Sequence, residues 1–390
     1  MAKQKRNREW IQDYFFLIVP EPLEDELLSS WLTRMAIKHR RVLSTFLSLF
    51  VRNNGHEISK IDIDFLYNEK FFDSLYRKSN LSKKKILSLS LRSEEGYLFT
   101  CNDCLYPPKQ IRKLTDKRTH NGLMYCPKCL ADDNVPYFRK KWRYFFYNAC
   151  PKHKVLLMDR CWRCYEKINF SQIKHFNEIC ICPKCEKDLR ENITIPLQSN
   201  FDYGLKAIKW FEKGLNRGYF LIDKQKVKSL FIFESFTHLT FLLDKKEKLV
   251  LDKFPLINEY KDICRSLQQY NSKKKLSIKK DFVLTAMVYY LFKNYPQNFL
   301  LFVSQNKFTH RDFTHGFKDI PFWYKEIIGK LIPIQNKIGR EISKSEVISA
   351  IEYLKKEGKI VNQLNVAEVI GCHFTIHKGF KKIYKEILKI

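Results

Sequence analysis

What this 390-residue chain lacks narrows its function early. No apolar run approaches the roughly 18 residues that a membrane-spanning helix requires. The basic start, Met1 to Arg8, leads only into a short apolar stretch, Phe15 to Val19, too brief for a secretory signal. No G-x-x-x-x-G-K-S/T loop is present, which excludes a P-loop ATPase. The H-x-E of zinc deaminases is missing as well. Acidic residues form no clustered motif of the kind a carboxylate-based nuclease or transposase uses. These absences point away from an enzyme.

Negative charge is scarce. Asp and Glu number 42 against 71 Lys and Arg, which leaves a formal charge of +29. The cations spread along the whole chain, with clusters at Lys3 to Arg8, Lys83 to Lys85, Lys109 to Arg118, Lys273 to Lys280 and Lys378 to Lys389. A solubility tail therefore does not explain them. DNA or RNA is the expected partner, because each phosphate neutralised releases a counterion. Hydrophobic residues at 45% and aromatics at 15% exclude a disordered chain.

Pro20 and Pro22 bound a short extended lead-in. Glu24, Asp25 and Glu26 then place negative charge where a helix N-terminus favours it. Leu27, Leu28, Trp31, Leu32, Met35 and Ala36 follow at helical spacing and predict an amphipathic helix over 24–38. A second apolar segment, Leu43 to Val51, is expected to pack back on it. Helical patterns return at Gly204 to Leu215, Leu230 to Leu243 and Phe282 to Phe292, and three short ones occupy the last fifty residues. Asn271 to Lys280 reads as an exposed linker or basic loop. The expected fold is mainly α and multidomain: an N-terminal helical, helix-turn-helix-like unit (1–100), a tandem zinc-ribbon or knuckle region (101–197), a helical domain (198–340) and a C-terminal helix-turn-helix (341–390).

Ten of the twelve cysteines fall between Cys101 and Cys185. In an intracellular, reducing setting such crowding points to metal rather than disulfides. Cys126-x-x-Cys129 is followed by Cys150-x-x-His153, and Cys161-x-x-Cys164 by Cys182-x-x-Cys185. Two residues between ligands let a tight turn aim both side chains at one tetrahedral ion. Two structural Zn2+ ions are expected, one held by three thiolates and an imidazole, the other by four thiolates. Four protein ligands leave no position for an activated water. Cys180 competes with Cys182 as third ligand of the second site, and the regular spacing to Cys185 favours Cys182. Cys101 and Cys104 form a third C-x-x-C without a second pair, and free thiols are expected there, with His120 as the alternative co-ligand. Seven thiolates and two dications sum to about −3, so the chain stays near about +26.

Tyr137-Phe138-Arg139-Lys140-Lys141-Trp142-Arg143 interleaves rings with cations. Phe138 and Trp142, one turn apart, are expected in a small core, leaving Arg139, Lys141 and Arg143 for DNA. Near the end, Val366, Val369 and Ile370 give one face of a short helix, and Gly371 suits its left-handed stop. A second helix from about Thr375 carries Lys378, Lys381, Lys382 and Lys385 toward DNA. An ordinary helical hairpin with a solvated basic face is the alternative reading.

Several of these segments resemble the TniQ/TnsD family. Glu24-Asp25-Glu26-Leu27-Leu28-Ser29-Ser30-Trp31-Leu32-Thr33-Arg34 is similar to its opening motif. Leu91-Arg92-Ser93-Glu94-Glu95-Gly96-Tyr97 and Gly122-Leu123-Met124-Tyr125-Cys126-Pro127-Lys128-Cys129-Leu130 match its middle. The match runs on through Tyr137-Phe138-Arg139 and Cys150-Pro151-Lys152-His153 to Cys161-Trp162-Arg163-Cys164. Leu291 to Phe299 resembles a later segment that usually has Trp where Tyr295 stands. The resemblance implies a non-enzymatic adaptor for target-site selection in DNA transposition, cytoplasmic in a bacterium and associated with DNA. It implies an AAA+ transposition regulator (TnsC-like) as partner, engaged by the N-terminal unit, where Arg34, Lys38, Arg40 and Arg41 are the expected contacts. A CRISPR effector complex with its guide RNA and a second copy of the chain are further partners it allows. The alternatives are a TnsD-like protein that reads an attachment site directly and a zinc-containing DNA-binding regulator.

Overall fold

The computed structural model of the chain describes residues 16–50, 62–66, 68–101, 106–114, 122–174, 177–197, 202–245, 277–304, 308, 312–313, 322–331, 342–370 and 378–388. The fold is mainly helical and packs as two compact units, Met1–Asn306 and Lys307–Ile390. The boundaries expected at 100 and 197 thus lie inside the first unit, and the one at 340 inside the second.

The first unit opens with α1 (Leu28–Lys38), whose face of Leu27, Leu28, Trp31, Leu32, Met35 and Ala36 is buried to 1% exposure or less. The helix begins later than its charge pattern suggests. Asp25 takes a left-handed φ of 56°, and Glu26 is a buried acceptor for Ser30 and Arg34 rather than a first-turn acid. Glu26 also bridges to Arg139, and the Leu27 N–H donates to the Phe138 carbonyl at 2.9 Å. Tertiary hydrogen bonding therefore takes over the role the helix dipole would have given these acids.

Helix α2 (Leu43–Phe50) packs back on α1, as its apolar pattern predicts. Next come α3 (Glu69–Ser79), N-capped by Asn68, and α4 (Lys83–Leu89), N-capped by Ser82. The metal region contributes α5 (Pro127–Asp132) and a two-stranded antiparallel pair, β1 (Ala149–Cys150) and β2 (Val155–Leu156). Helix α6 (Asp202–Arg217) runs directly into a hairpin, β3 (Tyr219–Ile222) and β4 (Gln225–Lys228), with Leu221 opposite Lys226 and Tyr219 opposite Lys228. Asp223 and Lys224 both have positive φ, which gives the strands a two-residue turn that matches their twist. Helices α7 (Ser229–Lys245), α8 (Ser277–Lys293) and α9 (Gln297–Ser304) complete the unit. A Cβ on Gly204 would come within 2.2 Å of the Phe282 ring, so glycine permits the close α6–α8 approach.

The expected linker at 271–280 is corrected in part. Helix α8 already begins at Ser277, Ile278 is 4% exposed, and Lys280 pairs with Asp244 of α7. Residues 271–276 lie outside the described residues. Cys101 is disulfide-bonded rather than a free thiol. Cys104, His120, Cys264 and Cys372 lie outside the described residues.

In the second unit α10 (Phe322–Leu331) precedes α11 (Lys344–Lys356), which opens on a capping box between Ser343 and Glu346. Helices α12 (Gln363–Ile370) and α13 (Lys378–Leu388) follow. Val347, Ile351 and Leu354 of α11 share a core with Val366 of α12 and with Phe380 and Tyr384 of α13. The segment 371–377, where the expected turn and Gly371 fall, lies outside the described residues.

Candidate metal centres and basic surfaces

Cys126, Cys129, Cys150 and His153 converge so that their ligand atoms all lie within 4.8 Å of one another. Cys129 Sγ stands 3.6 Å from Cys150 Sγ, and His153 Nδ1 lies 3.4, 3.3 and 3.6 Å from the sulfurs of Cys126, Cys129 and Cys150. A tetrahedral zinc with Zn–S of about 2.3 Å and Zn–N of about 2.0 Å requires edges of about 3.5–3.8 Å, so the group fits that ion. Cys126 and Cys129 do not sit on the expected tight turn. Cys126 N-caps α5, with Pro127 at its first position, so the pair projects from a helix start. Contacts with Cys126 and Cys150, followed by burial, push the Cys129 thiol up, while hydrogen bonds from Cys126 and Cys129 hold Cys150 down. Cys126 and Cys129 thus keep protons that a dication would displace, while Cys150 is already a thiolate.

Asp132 is a residue the sequence reading missed. Its Oδ2 lies 2.9 Å from His153 Nε2, the ring nitrogen turned away from the thiols. A carboxylate there keeps Nε2 protonated and leaves Nδ1 free to ligate, the usual support behind a metal-bound imidazole. The signal was present in principle, since Asp132 falls on the last turn of the helix that Cys126 starts.

The second group is Cys161, Cys164, Cys182 and Cys185, with Sγ–Sγ distances of 3.5 Å for Cys161–Cys185 and 3.6 Å for Cys164–Cys182. Cys180 stays outside it and donates to Glu178 Oε2 at 3.4 Å. Three of the four ligand pairs share one backbone device. The N–H groups of Lys154, Tyr165 and Glu186 donate to the carbonyls of Cys150, Cys161 and Cys182, and all three residues have positive φ. Bridges Arg160–Lys167 and Ile181–Asp188 close the two turns of the second group. The residue after each ligand pair must therefore adopt the left-handed conformation, which none of the three obtains from glycine.

The expected DNA contacts between the halves of the first group require correction. Arg143 is 1% exposed. Its Nη2 donates to Asp62 Oδ2 at 2.5 Å, its Nη1 to Asp64 Oδ2 at 2.9 Å, and its Nε to the Arg112 carbonyl at 3.1 Å. Asp64 also accepts from the N–H and hydroxyl of Ser29 at 2.7 and 2.9 Å. This guanidinium joins α1, the segment at 62–66 and the metal region; it cannot reach a phosphate. Arg139 is held by both oxygens of Asp133 and stacks over Tyr137 and Trp142. Lys141 pairs with Glu212 at 2.9 Å. Phe138 and Trp142, at 1% exposure each, occupy the core as expected.

Among the expected partner contacts, Arg34 also requires correction. Its side chain is 11% exposed and pairs at 2.6 Å with the fully buried Glu26 carboxylate. Lys38, Arg40 and Arg41 are exposed around the end of α1, with Arg40 in the left-handed conformation. Lys381, Lys382 and Lys385 are exposed on α13, opposite its buried Phe380 and Tyr384. The side chain of Lys378 lies outside the described residues.

The chain is mainly helical and strongly basic, and it carries two groups of four Cys/His ligands, each able to hold a metal ion with no ligand position left over. Residues 17–157 match the TniQ family model, so the chain carries a TniQ domain over that stretch. The match starts just before α1 and ends just past β2, so it takes in the first metal group and excludes the second. The domain implies a role in transposition target-site selection. A comparison with curated proteins found no match. No helix among the described residues is long and apolar enough to cross a membrane.

Proposed function

We propose that the chain is a non-catalytic adaptor that links a target-recognition event to an AAA+ transposition regulator. The observation that carries this reading is the TniQ match over 17–157, laid on a domain whose metal group has all four positions filled by protein. Zinc suits both donor sets; it would hold the loops in place and supply no activated water. The exposed cations Lys38, Arg40 and Arg41 give the N-terminal unit a compact positive end for an acidic surface on the regulator. Arg34 belongs to the interior and is not part of that contact.

A specific observation also supports direct DNA readout. The second unit is a small helical core with Lys381, Lys382 and Lys385 on its outer side, and a chain with such a unit can engage an attachment site itself. An RNA-guided effector would make that unit dispensable for targeting.

Affinity capture of the regulator by the full chain tests the adaptor reading. The double reversal Lys38→Glu, Arg41→Glu is expected to reduce capture at least tenfold with zinc content unchanged. Capture that persists at the parental level would remove this surface from the contact. No capture by the parent protein, with or without DNA, would sink the adaptor reading.

A further inference from the structure

The cations that sequence reading assigned to DNA in the first unit are internal, yet another row of cations on this unit is not. Lys209, Lys213 and Arg217 repeat every four residues along α6 and are all exposed. Opposite them, Leu205, Ile208, Phe211 and Leu215 are buried. None of the three cations has an ion pair among the described residues, whereas Glu212 on the flank of the same helix is taken by Lys141. Like charges at this spacing work against the helix that carries them. Only Arg217, in the last turn, gains from the helix dipole.

Exposed cations recur past the helix end. Arg217 is followed by Gly218, at φ 76°, and then by β3. The outward positions of the hairpin are Tyr219 and Leu221 on β3, facing Lys228 and Lys226 on β4. Phe220, Ile222 and Val227 point the other way into the core. Lys226 lies 5.1 Å above the Tyr219 ring, and Lys228 stands across the ladder from Tyr219, two residues beyond Arg217. Helix and hairpin thus both present exposed cations, on either side of Gly218. From Asp202 to Lys228 there are seven Lys and Arg against three Asp and Glu, a local excess of four.

We propose that these cations, Lys209, Lys213, Arg217, Lys226 and Lys228, form a docking surface for the phosphate backbone of duplex DNA. Four residues of helix rise about 6 Å, so the three α6 cations span about 12 Å. Each strand of a duplex rises 3.4 Å or so of axis per phosphate but also winds round it, so neighbouring phosphates stand about 7 Å apart and a row of that length meets up to about three of them. A single strand is the weaker fit, because it is held by aromatic platforms on which bases stack. The ring beside these cations, Tyr219, is already covered by Lys226. The contact carries no sequence information; it fixes where the first unit lies along DNA whose site is chosen elsewhere. The inference rests on the reading of this chain as a DNA-associated selection protein.

The test uses the full chain and a fluorescent 30-base-pair duplex of arbitrary sequence, with affinity measured across a salt series. The triple variant Lys209→Gln, Lys213→Gln, Arg217→Gln is expected to bind at least tenfold more weakly. Its log–log salt slope should fall by about three, one for each phosphate that is no longer neutralised. The charge-keeping variant Lys209→Arg, Lys213→Arg, Arg217→Lys should retain the parental slope, which separates charge from damage to the helix. An unchanged slope in the glutamine variant, while the parent binds duplex, would overturn the surface and leave the wider reading standing. Failure of the parent to bind any duplex would overturn that wider reading itself. A loss confined to single-stranded DNA or to RNA, with duplex binding intact, would overturn the choice of partner.

Discussion

Replacing Arg143 with Met should cost the first unit a large part of its stability without touching the protein surface. The guanidinium holds Asp62 and Asp64, whose side chains are 3% and 1% exposed, while its own is 1% exposed. Removing one partner of a buried ion pair typically costs about 3–5 kcal/mol, because the other charge is left unpaired in a poorly solvating interior. Here two carboxylates lose the same cation. Asp64 has a partial escape, since burial already pushes its carboxyl up to about 7 and it can take up a proton near neutral pH. The expected loss is therefore about 3–5 kcal/mol rather than twice that. With a urea dependence near about 3 kcal/mol per molar, the midpoint should fall by about 1–1.7 M. Tryptophan fluorescence during urea titration, in zinc-saturated buffer, reads the shift. Arg143→Met combined with Asp62→Asn and Asp64→Asn should recover much of it, because the unpaired charges are gone. A single variant that unfolds within about 0.3 M of the parent would refute the buried-network account. So would a triple variant no better than the single.

Metal analysis of the purified protein should return two zinc equivalents, and Cys164→Ser should leave close to one, with the first group retained. Asp132→Asn should weaken zinc at the first group by about tenfold or more in a chelator competition, while the second group is unaffected. Asp64 sets a pH dependence with a definite sign. Its carboxyl, raised from 3.8 to about 7 chiefly by burial, binds a proton in the folded chain that the unfolded chain has already lost. Its contribution is thus greatest below about pH 4 and fades as pH rises toward about 7. Urea midpoints at saturating zinc should therefore fall between pH 5 and pH 7 more steeply in the parent than in Asp64→Asn; parallel slopes would contradict the assignment.

The metal groups were legible because their information is local. Two C-x-x-C or C-x-x-H pairs some twenty residues apart have few uses other than a metal site, and each half of a site announces itself within four residues. Cys182 was distinguishable from Cys180 by spacing alone, and the structure keeps Cys180 out of the group. Arg143 was not legible. A run that alternates rings and cations looks the same whether a cation faces solvent or the interior, and the partners that settle the matter lie 81 and 79 residues upstream. Arg34 misled for a related reason. Its helical position suggested an exposed edge, but the strand-like lead-in folds Glu26 beneath it. The row on α6 went unnoticed because Lys209, Lys213 and Arg217 form no dense cluster in the sequence; only the helical period brings them to one side.

The stitching of α1 to the metal region has a consequence for how the protein is made. The Phe138 N–H donates to Ser30 Oγ across 108 residues of chain, and the Asp25 carbonyl accepts from the Lys140 N–H. A ribosome adding about 5–20 residues per second delivers Asp62 and Asp64 some 4–16 s before their guanidinium. Throughout that interval the apolar side of α1, Trp31 included, has no finished core to enter, and two carboxylates destined for burial remain in water. The first helix to emerge is therefore among the later ones to lock. Its docking waits for the loop between Cys129 and Cys150, whose ends the first zinc ion would draw together. Zinc available during synthesis, rather than after it, should govern how much of the nascent chain escapes aggregation.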